Sequence, residues 1–598
     1  MVGRKIMNSM AALLIGCVGV SQADDRPGIE WWITHSLDKT FPDSVKPETA
    51  SQAIELKAAR NETEDAQVIV RIPAGTRIAR AAYVLTDLTG PKGAMLSKDN
   101  LAAWWVWYIY VLNNPRQNTD PSSYLRKAPA FFPDAFLEQP VIRIRDEWTQ
   151  PLWFSARVPE GTPPGKYSGR INIELTDDEG AVYSFEVPVS LTVWRFTLPQ
   201  VPTLHHTEWF LWSFDYYRVK LWSDEHWQWI EKAARDMARH KQDTILTPFF
   251  SLVDVYQDGD GLGYDFARLD RWLDVFQNAG VTWIEGCHVA GRSAGWESDF
   301  VWARFPIMGA DGRPLDVSAG ALDENAFEPY MARFLKAVHT HLAEKGLAGQ
   351  YIQHIADEPV PKNEASWVYR ARRVRQWLHD VPIIDAVMSE GLNGCIDIRV
   401  PQIHEVRPVA QRNPNEVMWS YVCLSPQGQY PNRFLDYPSI RNRILFWLSW
   451  TLDLKGFLHW GYNYWRPWGE VPVPIDVSPW LDATSGSIYV ADRSPLPAGD
   501  PHIVYPGKND ICSSIRWEVV RKGIEDYEYL ALLEKAVRGL SSRRSHTTST
   551  LVRRGRALLD VVRNEIAAAP DSHTRDDTLL LRTRVEIGDL LERIIGEK

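Results

Sequence analysis

Beyond Pro202 the hydrophobic pattern settles into a repeat: a short apolar run, an amphipathic helix, then another apolar run. This alternation predicts a parallel α/β fold, because two parallel strands need a crossover helix between them. Eight runs can be counted: Leu204 to Leu211, Asp243 to Pro248, Val281 to Val289, Tyr351 to Ala356, Pro382 to Met388, Gly394 to Val400, Glu416 to Cys423 and Gly456 to Gly461. The intervening helices are amphipathic. Asp224 to His240 carries Trp227, Ile230, Ala234 and Met237 at spacings of three and four, and Phe266 to Ala279 is stopped by Gly280. A third, Phe327 to Lys345, puts Met331, Phe334, Val338 and Leu342 on one face, with Gly346 after it. Eight strands with helices between them imply a (β/α)8 TIM-like barrel, whose reactive groups lie at the carboxyl ends of the strands.

The fourth run, Tyr351-Ile352-Gln353-His354-Ile355-Ala356, opens into Asp357-Glu358-Pro359. Pro359 disfavours the α region for the residue before it, so Glu358 is expected to be extended or polyproline-like and unable to begin a helix. At a frayed strand end both acids can turn into one cleft. Two carboxylates that close cannot easily both be charged, so one becomes an acid and the other a base. That is chemistry suited to glycoside cleavage, and Asp357 and Glu358 are the candidate catalytic residues. His354, inside the strand, reads as a satisfied core or supporting group.

Other polar groups fall on the same rim: Glu208 near the first strand, Glu285 and His288 near the third, Tyr421 near the seventh, and His459, Tyr462 and Asn463 at the eighth. The cluster from Leu458 to Trp465, with Trp460 in it, concentrates amphipathic rings at a strand-to-loop transition and suggests a sugar subsite. Candidate substrate-binding residues are therefore Glu208, His288, Tyr421, His459, Trp460, Tyr462 and Asn463. Trp419 and Trp447 have packing positions. The stretch from Gly291 to Asn325, with Trp296, Glu297 and Trp302, is too long for a passive connection and is expected to wall the site.

Residues 24–200 read as a β-sandwich, a lid or brace with no chemistry of its own, for which the strand Gly165 to Leu175 and the alternating Ser184 to Val193 are typical. Residues 201–480 would form the barrel, and 481–598 a helical extension packed on it, its charges mostly a solvated face. Residues 1–23 resemble an export signal: Arg4 and Lys5, an apolar run from Met10 to Val20, and Ser21-Gln22-Ala23 at the cleavage positions. Leu14-Ile15-Gly16-Cys17 also resembles a lipobox, so a lipoprotein is an alternative to a periplasmic or secreted protein. No later stretch is long and apolar enough to span a membrane.

A net charge of -10 over 598 residues, with no basic stripe, argues against nucleic acid as a partner. The 27 tryptophans suit sugar binding as well as core packing. Cys287, Cys395, Cys423 and Cys512 lack the spacing of a zinc site, so neither a metal nor another cofactor is expected; free thiols are the default, with one disulfide open.

Three segments together carry a family resemblance: Asp357-Glu358-Pro359, the stretch Gly456 to Asn463, and Arg516-Trp517-Glu518 through Asp526-Tyr527-Glu528-Tyr529-Leu530. From Trp148-Thr149-Gln150-Pro151-Leu152-Trp153 onward, over roughly residues 140 to 535, the chain resembles the domain of unknown function 4091, which is similar to glycoside hydrolase family 123, the β-N-acetylgalactosaminidases. The resemblance implies an exo-acting retaining hydrolase that removes terminal β-linked N-acetylgalactosamine by substrate assistance through an oxazolinium. Glu358 would be acid and base, and Asp357 would hold the acetamide N–H. From their positions on the rim, and not from the resemblance, Tyr421 would meet the acetamide oxygen and Trp460 or a neighbour would wall its methyl. The partner would be a glycan or glycoconjugate with a terminal N-acetylhexosamine; galacto or gluco preference and oligomeric state stay open. Two other readings remain: a glycosidase for a sugar without an acetamide, with Glu208 or Glu285 as nucleophile, and a non-catalytic glycan-binding protein.

Overall fold

The computed structural model describes residues 28–115, 121–259, 261–315, 324–387, 389, 391–392, 394–467, 478–489, 492–540 and 546–596. The expected signal segment, Cys17 and the last residue of the fifth run, Met388, lie outside them.

The N-terminal part is a β-sandwich. One sheet has the order Glu30–His35, Glu62–Arg71, Thr149–Val158, Leu101–Val111, Ala130–Phe136. The facing sheet runs Ile54–Arg60, Val182–Thr197, Gly165–Asp177, Ile78–Leu85, Ile142–Ile144, with two short strands attached at its side. Alternation decides which side chains go inward. Tyr167, Ile171, Ile173 and Leu175 are buried, and they join Val68, Val70, Leu152 and Phe154 of the other sheet in one apolar core.

The barrel follows, and each of the eight expected runs supplies one strand. They are β1 (His205–Glu208), β2 (Thr244–Thr247), β3 (Trp283–Gly286), β4 (Tyr351–His354), β5 (Ile383–Ala386), β6 (Ile398–Val400), β7 (Val417–Tyr421) and β8 (Gly456–His459). All neighbours are parallel, in the order β1-β8-β7-β6-β5-β4-β3-β2. Closure between β1 and β2 is made differently. Asp243, just before β2, accepts the His206 N–H at 2.9 Å through its carboxylate and donates its own N–H to the His206 carbonyl at 3.3 Å. The barrel is therefore near-closed, with a seam held by a side chain where a ladder would stand.

Around it lie α1 (Asp224–Arg239), α2 (Ala267–Ala279), α3 (Glu324–Glu344), α4 (Glu364–Trp377), α5 (Val406–Arg412) and α6 (Ile440–Thr451). Helix α1 buries Trp227, Ile230, Ala234 and Met237, the stripe its spacing predicts. Gly280 ends α2 at φ 108, a conformation that strains any residue with a Cβ.

The C-terminal helices are α7 (Ile515–Leu540), α8 (His546–Val561) and α9 (Asp577–Gly596). Here the expectation of a solvated charged face fails, because α7 is buried on every side from Ile515 to Leu530. It lies between barrel and sandwich, and its charges are paired across that junction. The Lys522 ammonium donates to Glu62 and Glu64 at 2.8 Å each and to Glu525 at 3.1 Å. Arg521 bridges Asp65 and Glu518, Arg584 from α9 reaches Glu62 and Glu64, and Asp526 takes both Arg443 and the Trp447 indole. Helix α9 packs on the sandwich too, where Asp589 accepts from Lys57 at 2.9 Å and from the Trp194 indole at 3.1 Å. Ionic groups this deep are satisfied only as a set, because burying a charge without a partner is costly.

A test follows directly. Lys522→Met leaves buried Glu525 without an ion-pair partner and Glu62 and Glu64 with Arg584 alone, and is expected to cost about 3–5 kcal/mol, seen as a fall in the midpoint of chemical denaturation. Arg80→Ala, which removes an exposed 2.6 Å pair with Glu174, should change it by less than about 1 kcal/mol. Equal effects would show that the buried cluster is not what joins the domains.

Candidate active site

Asp357 and Glu358 stand where β4 ends, both partly exposed at the mouth of the barrel. Beneath them His354 lies fully buried between two carboxylates, with Nε2 at 2.5 Å from Glu285 and Nδ1 at 2.6 Å from Asp385. Burial alone would lower its pKa. The hydrogen bonds to Asp385 and Glu285 prevail and raise it from 6.5 to about 10, so the ring is an imidazolium that donates from both nitrogens. The supporting role expected for His354 is the one its contacts define.

Asp385, from β5, does more than neutralise that ring. Its second oxygen accepts the backbone N–H groups of Ile355 and Ala356 at 3.1 Å each and the Trp367 indole N–H at 2.9 Å. These are the two peptide groups just before the acids, so the Asp385 carboxylate sets how β4 opens. Glu285 is equally occupied. Besides His354 it accepts from Thr207 at 2.6 Å and from the Trp209 indole at 2.9 Å.

Glu358 departs from the extended backbone expected before a proline: its φ is 45°, in the left-handed region. Two hydrogen bonds hold it there. Its N–H donates to the Ala386 carbonyl at 3.2 Å, and its own carbonyl accepts from Arg292 Nη2 at 2.7 Å. No helix begins at Glu358; α4 starts at Glu364. A non-glycine residue in this region before proline is strained, and such strain is maintained where position matters.

The two side chains are not equivalent. The Tyr421 hydroxyl donates to Glu358 and accepts from Gln402 Nε2 at 3.2 Å. Burial raises the Glu358 pKa, while Tyr421 and the Arg292 charge oppose the rise. Asp357 is pushed up to about 8 by burial, then by the charges of Glu358 and Asp385, with Arg292 and His354 pulling it back. The pair therefore holds one proton near neutral pH, and without a ligand that proton favours Asp357.

The remaining candidates separate into two groups. His288, at the end of β3, packs its ring 4.6 Å from that of His354 and edge-on to Trp209 at 5.2 Å, with Nε2 turned inward to 3.8 Å from Asp385, beyond hydrogen-bond reach, and its pKa held well below 6.5 by burial and by the His354 charge. Trp460 is half-exposed after β8, and its indole N–H donates to Asp500 at 3.2 Å. Those two, with Tyr421 and the acids, line the mouth. Four candidates do not. Glu208 is buried in an ion pair with Arg433. His459 is buried and accepts the Gly461 N–H at 3.0 Å. Tyr462 points away from the cleft to Asp236 of α1, its hydroxyl donating at 2.7 Å. Asn463 clasps Leu211, accepting its N–H at 2.7 Å and donating to its carbonyl at 3.2 Å. Asn463 thus ties the loop after β8 to the one after β1. Trp302, expected in the wall, is core, packed 5.4 Å from Trp377.

Sequence reasoning missed Asp385, Arg292, Trp209, Gln402 and Asp500 as parts of this region. Asp385 left a trace, a lone carboxylate in the apolar run Pro382 to Val387. His288, His354 and Asp385 offer ligand atoms within 4.8 Å of one another, but both His354 nitrogens are already committed to carboxylates. The four cysteines described are free thiols.

The model of the glycoside hydrolase 123 catalytic domain matches residues 211–533, and that of the glycoside hydrolase 123 N-terminal domain matches residues 35–175. No curated protein matches by sequence. Among solved structures the chain is similar to a family 123 glycoside hydrolase from Clostridium perfringens, described for glycolipid glycan hydrolysis, at 15% identity and a TM-score of 0.66 over 95% of this chain and 98% of that one. A family 5 mannosidase from Rhizomucor miehei aligns at 12% identity and a TM-score of 0.28, over 55% of this chain and 94% of that one, too loosely to add to the assignment.

The His354 assignment predicts a pH effect. A group whose pKa rises from 6.5 to about 10 on folding contributes stability that is whole below 6.5 and is lost as pH climbs through 10. The stability advantage of the native protein over His354→Gln, measured by denaturation midpoints between about pH 6 and pH 10, should shrink with rising pH. An advantage independent of pH would mean a neutral His354.

Proposed function

Because the chain belongs to the glycoside hydrolase 123 family and is a glycosidase, we propose that it removes terminal β-linked N-acetylgalactosamine from glycans, exo-acting and with retention, using the acetamide of the substrate as nucleophile. The observation that carries this is the employment of the acids. The distant carboxylates that a displacement mechanism would need, Glu208 and Glu285, are fully buried and bound to Arg433, Thr207, Trp209 and His354. What faces the mouth is an adjacent pair, badly placed to straddle a glycosidic bond and well placed to serve a leaving oxygen and a neighbouring acetamide.

In this reading the acetamide N–H donates to Asp357, which favours its ionised form and moves the shared proton to Glu358. Glu358 then no longer accepts from Tyr421, whose hydroxyl is free to donate to the acetamide oxygen. That oxygen attacks the anomeric carbon, the glycosidic C–O bond breaks, and Glu358 gives its proton to the departing oxygen. The Asp357 carboxylate stabilises the positive oxazolinium. Water then adds to the anomeric carbon, Glu358 takes its proton, and the acetamide is restored. Trp460 would wall the acetamide methyl, and the part-exposed His288 ring would meet a sugar hydroxyl. We also propose that the protein is exported, a reading supported by the signal-like residues 1–23. Among the described residues no helix is long and apolar enough to cross a membrane.

The decisive assay is release of nitrophenol from p-nitrophenyl N-acetyl-β-galactosaminide, its gluco epimer and its non-acetylated counterpart. Turnover is expected for the acetamido sugar and not for the counterpart. Glu358→Gln and Asp357→Asn should each lose about 10²–10⁴-fold in kcat. Equal turnover of the non-acetylated sugar would overturn substrate assistance. The pH profile offers a second check. Activity needs one proton on the pair, so kcat/KM should fall as pH rises through about 8, where Asp357 loses it.

A further inference from the structure

The connection after β3 forms a small hairpin, Ala290–Arg292 paired with Phe300–Trp302, and carries Trp296 at its tip. Arg292 joins this hairpin to the acids. Its Nη2 donates to the Glu358 carbonyl at 2.7 Å, its Nε donates to the Trp296 carbonyl at 2.8 Å, and its guanidinium carbon lies 3.9 Å from the centre of the indole. One face of the indole is therefore covered by a cation, while the residue as a whole stays 51% exposed. The tip is also fastened to the loop that follows the acids. Asn363 donates to the carbonyls of Trp296 and Ser298 at 3.2 and 3.1 Å, and Lys362 pairs with Glu297. A large ring at the lip is thus presented rigidly, on the same short piece of chain that fixes Glu358.

We propose that Trp296, backed by Arg292, is the platform for the leaving-group side of the substrate, and that its ligand is a second sugar ring whose C–H face stacks on the indole. This rests on Glu358 being the acid of the preceding section, since the group that protonates the leaving oxygen must stand beside the ring that departs. A rigid aromatic face suits a pyranose because its ordering cost is met in the free enzyme, and stacking needs no matched set of hydrogen bonds. The hairpin then selects for an oligosaccharide end, in preference to a small aglycone.

The experiment compares the native enzyme with Trp296→Ala and Trp296→Phe on two substrates: the β-fluoride of N-acetylgalactosamine, whose leaving group is a single atom, and a disaccharide in which N-acetylgalactosamine is β-linked to galactose. Trp296→Ala should lose about tenfold in kcat/KM on the disaccharide and nothing on the fluoride, with Trp296→Phe recovering most of the loss. Equal ratios of the two substrates in native and Trp296→Ala enzymes would overturn the platform. If the native enzyme cleaves neither, the substrate-assisted reading fails by itself. Disaccharide binding to Glu358→Gln, with and without Trp296→Ala, then decides the platform: weaker binding without the indole supports it, and unchanged binding overturns it.

Discussion

A buried imidazolium shared by two carboxylates is the interaction on which the site depends. Glu285, His354 and Asp385 come from β3, β4 and β5, three neighbouring strands, and their hydrogen bonds cross the barrel interior just below the mouth. In a low-dielectric interior any one of these charges alone would be costly, so each requires the others. The arrangement has a geometric result. With Asp385 fixed by His354, its second oxygen can hold the N–H groups of Ile355 and Ala356, and the strand delivers Asp357 and Glu358 into the cleft. The acids are positioned by a set of charges that never touch solvent.

The same physics recurs on a larger scale at the domain junction. Glu62, Glu64 and Asp65 belong to a sandwich strand, and their cations belong to α7 and α9. The sandwich is consequently part of the enzyme body. A brace with no chemistry of its own can still decide whether the barrel is held in its working shape.

Legibility in the sequence followed the range of the signal. The eight strands could be read because apolar runs and helical stripes are local patterns, and each run corresponds to a strand shorter by a few residues at its ends. The acids could be read because Asp357-Glu358-Pro359 is contiguous. What could not be read depends on partners far along the chain. Nothing near Arg292 signals that it lies beside Glu358, and the φ of Glu358 follows from Ala386 and Arg292 and overrides the local proline effect. The charges of α7 looked like a solvated face because helical spacing cannot distinguish water from a buried counterion. Tyr462 and Asn463 share a strand-to-loop segment with Trp460, yet only Trp460 lies at the mouth, a difference made by Asp236 and Leu211.

The separation of these partners along the chain has a consequence for how the protein is made. Glu62 and Lys522 are 460 residues apart. Since domains generally fold as they leave the ribosome, the sandwich strands are complete long before their cations exist. Until α7 emerges, that sheet carries carboxylates meant for burial and must keep them hydrated. The C-terminal helices therefore act as a completion step, and a nascent chain cut short before Lys522 would have a formed sandwich, able to meet the barrel through contacts such as Asp134 with Tyr505 and Arg516, whose Glu62 and Glu64 still lack both of their cations.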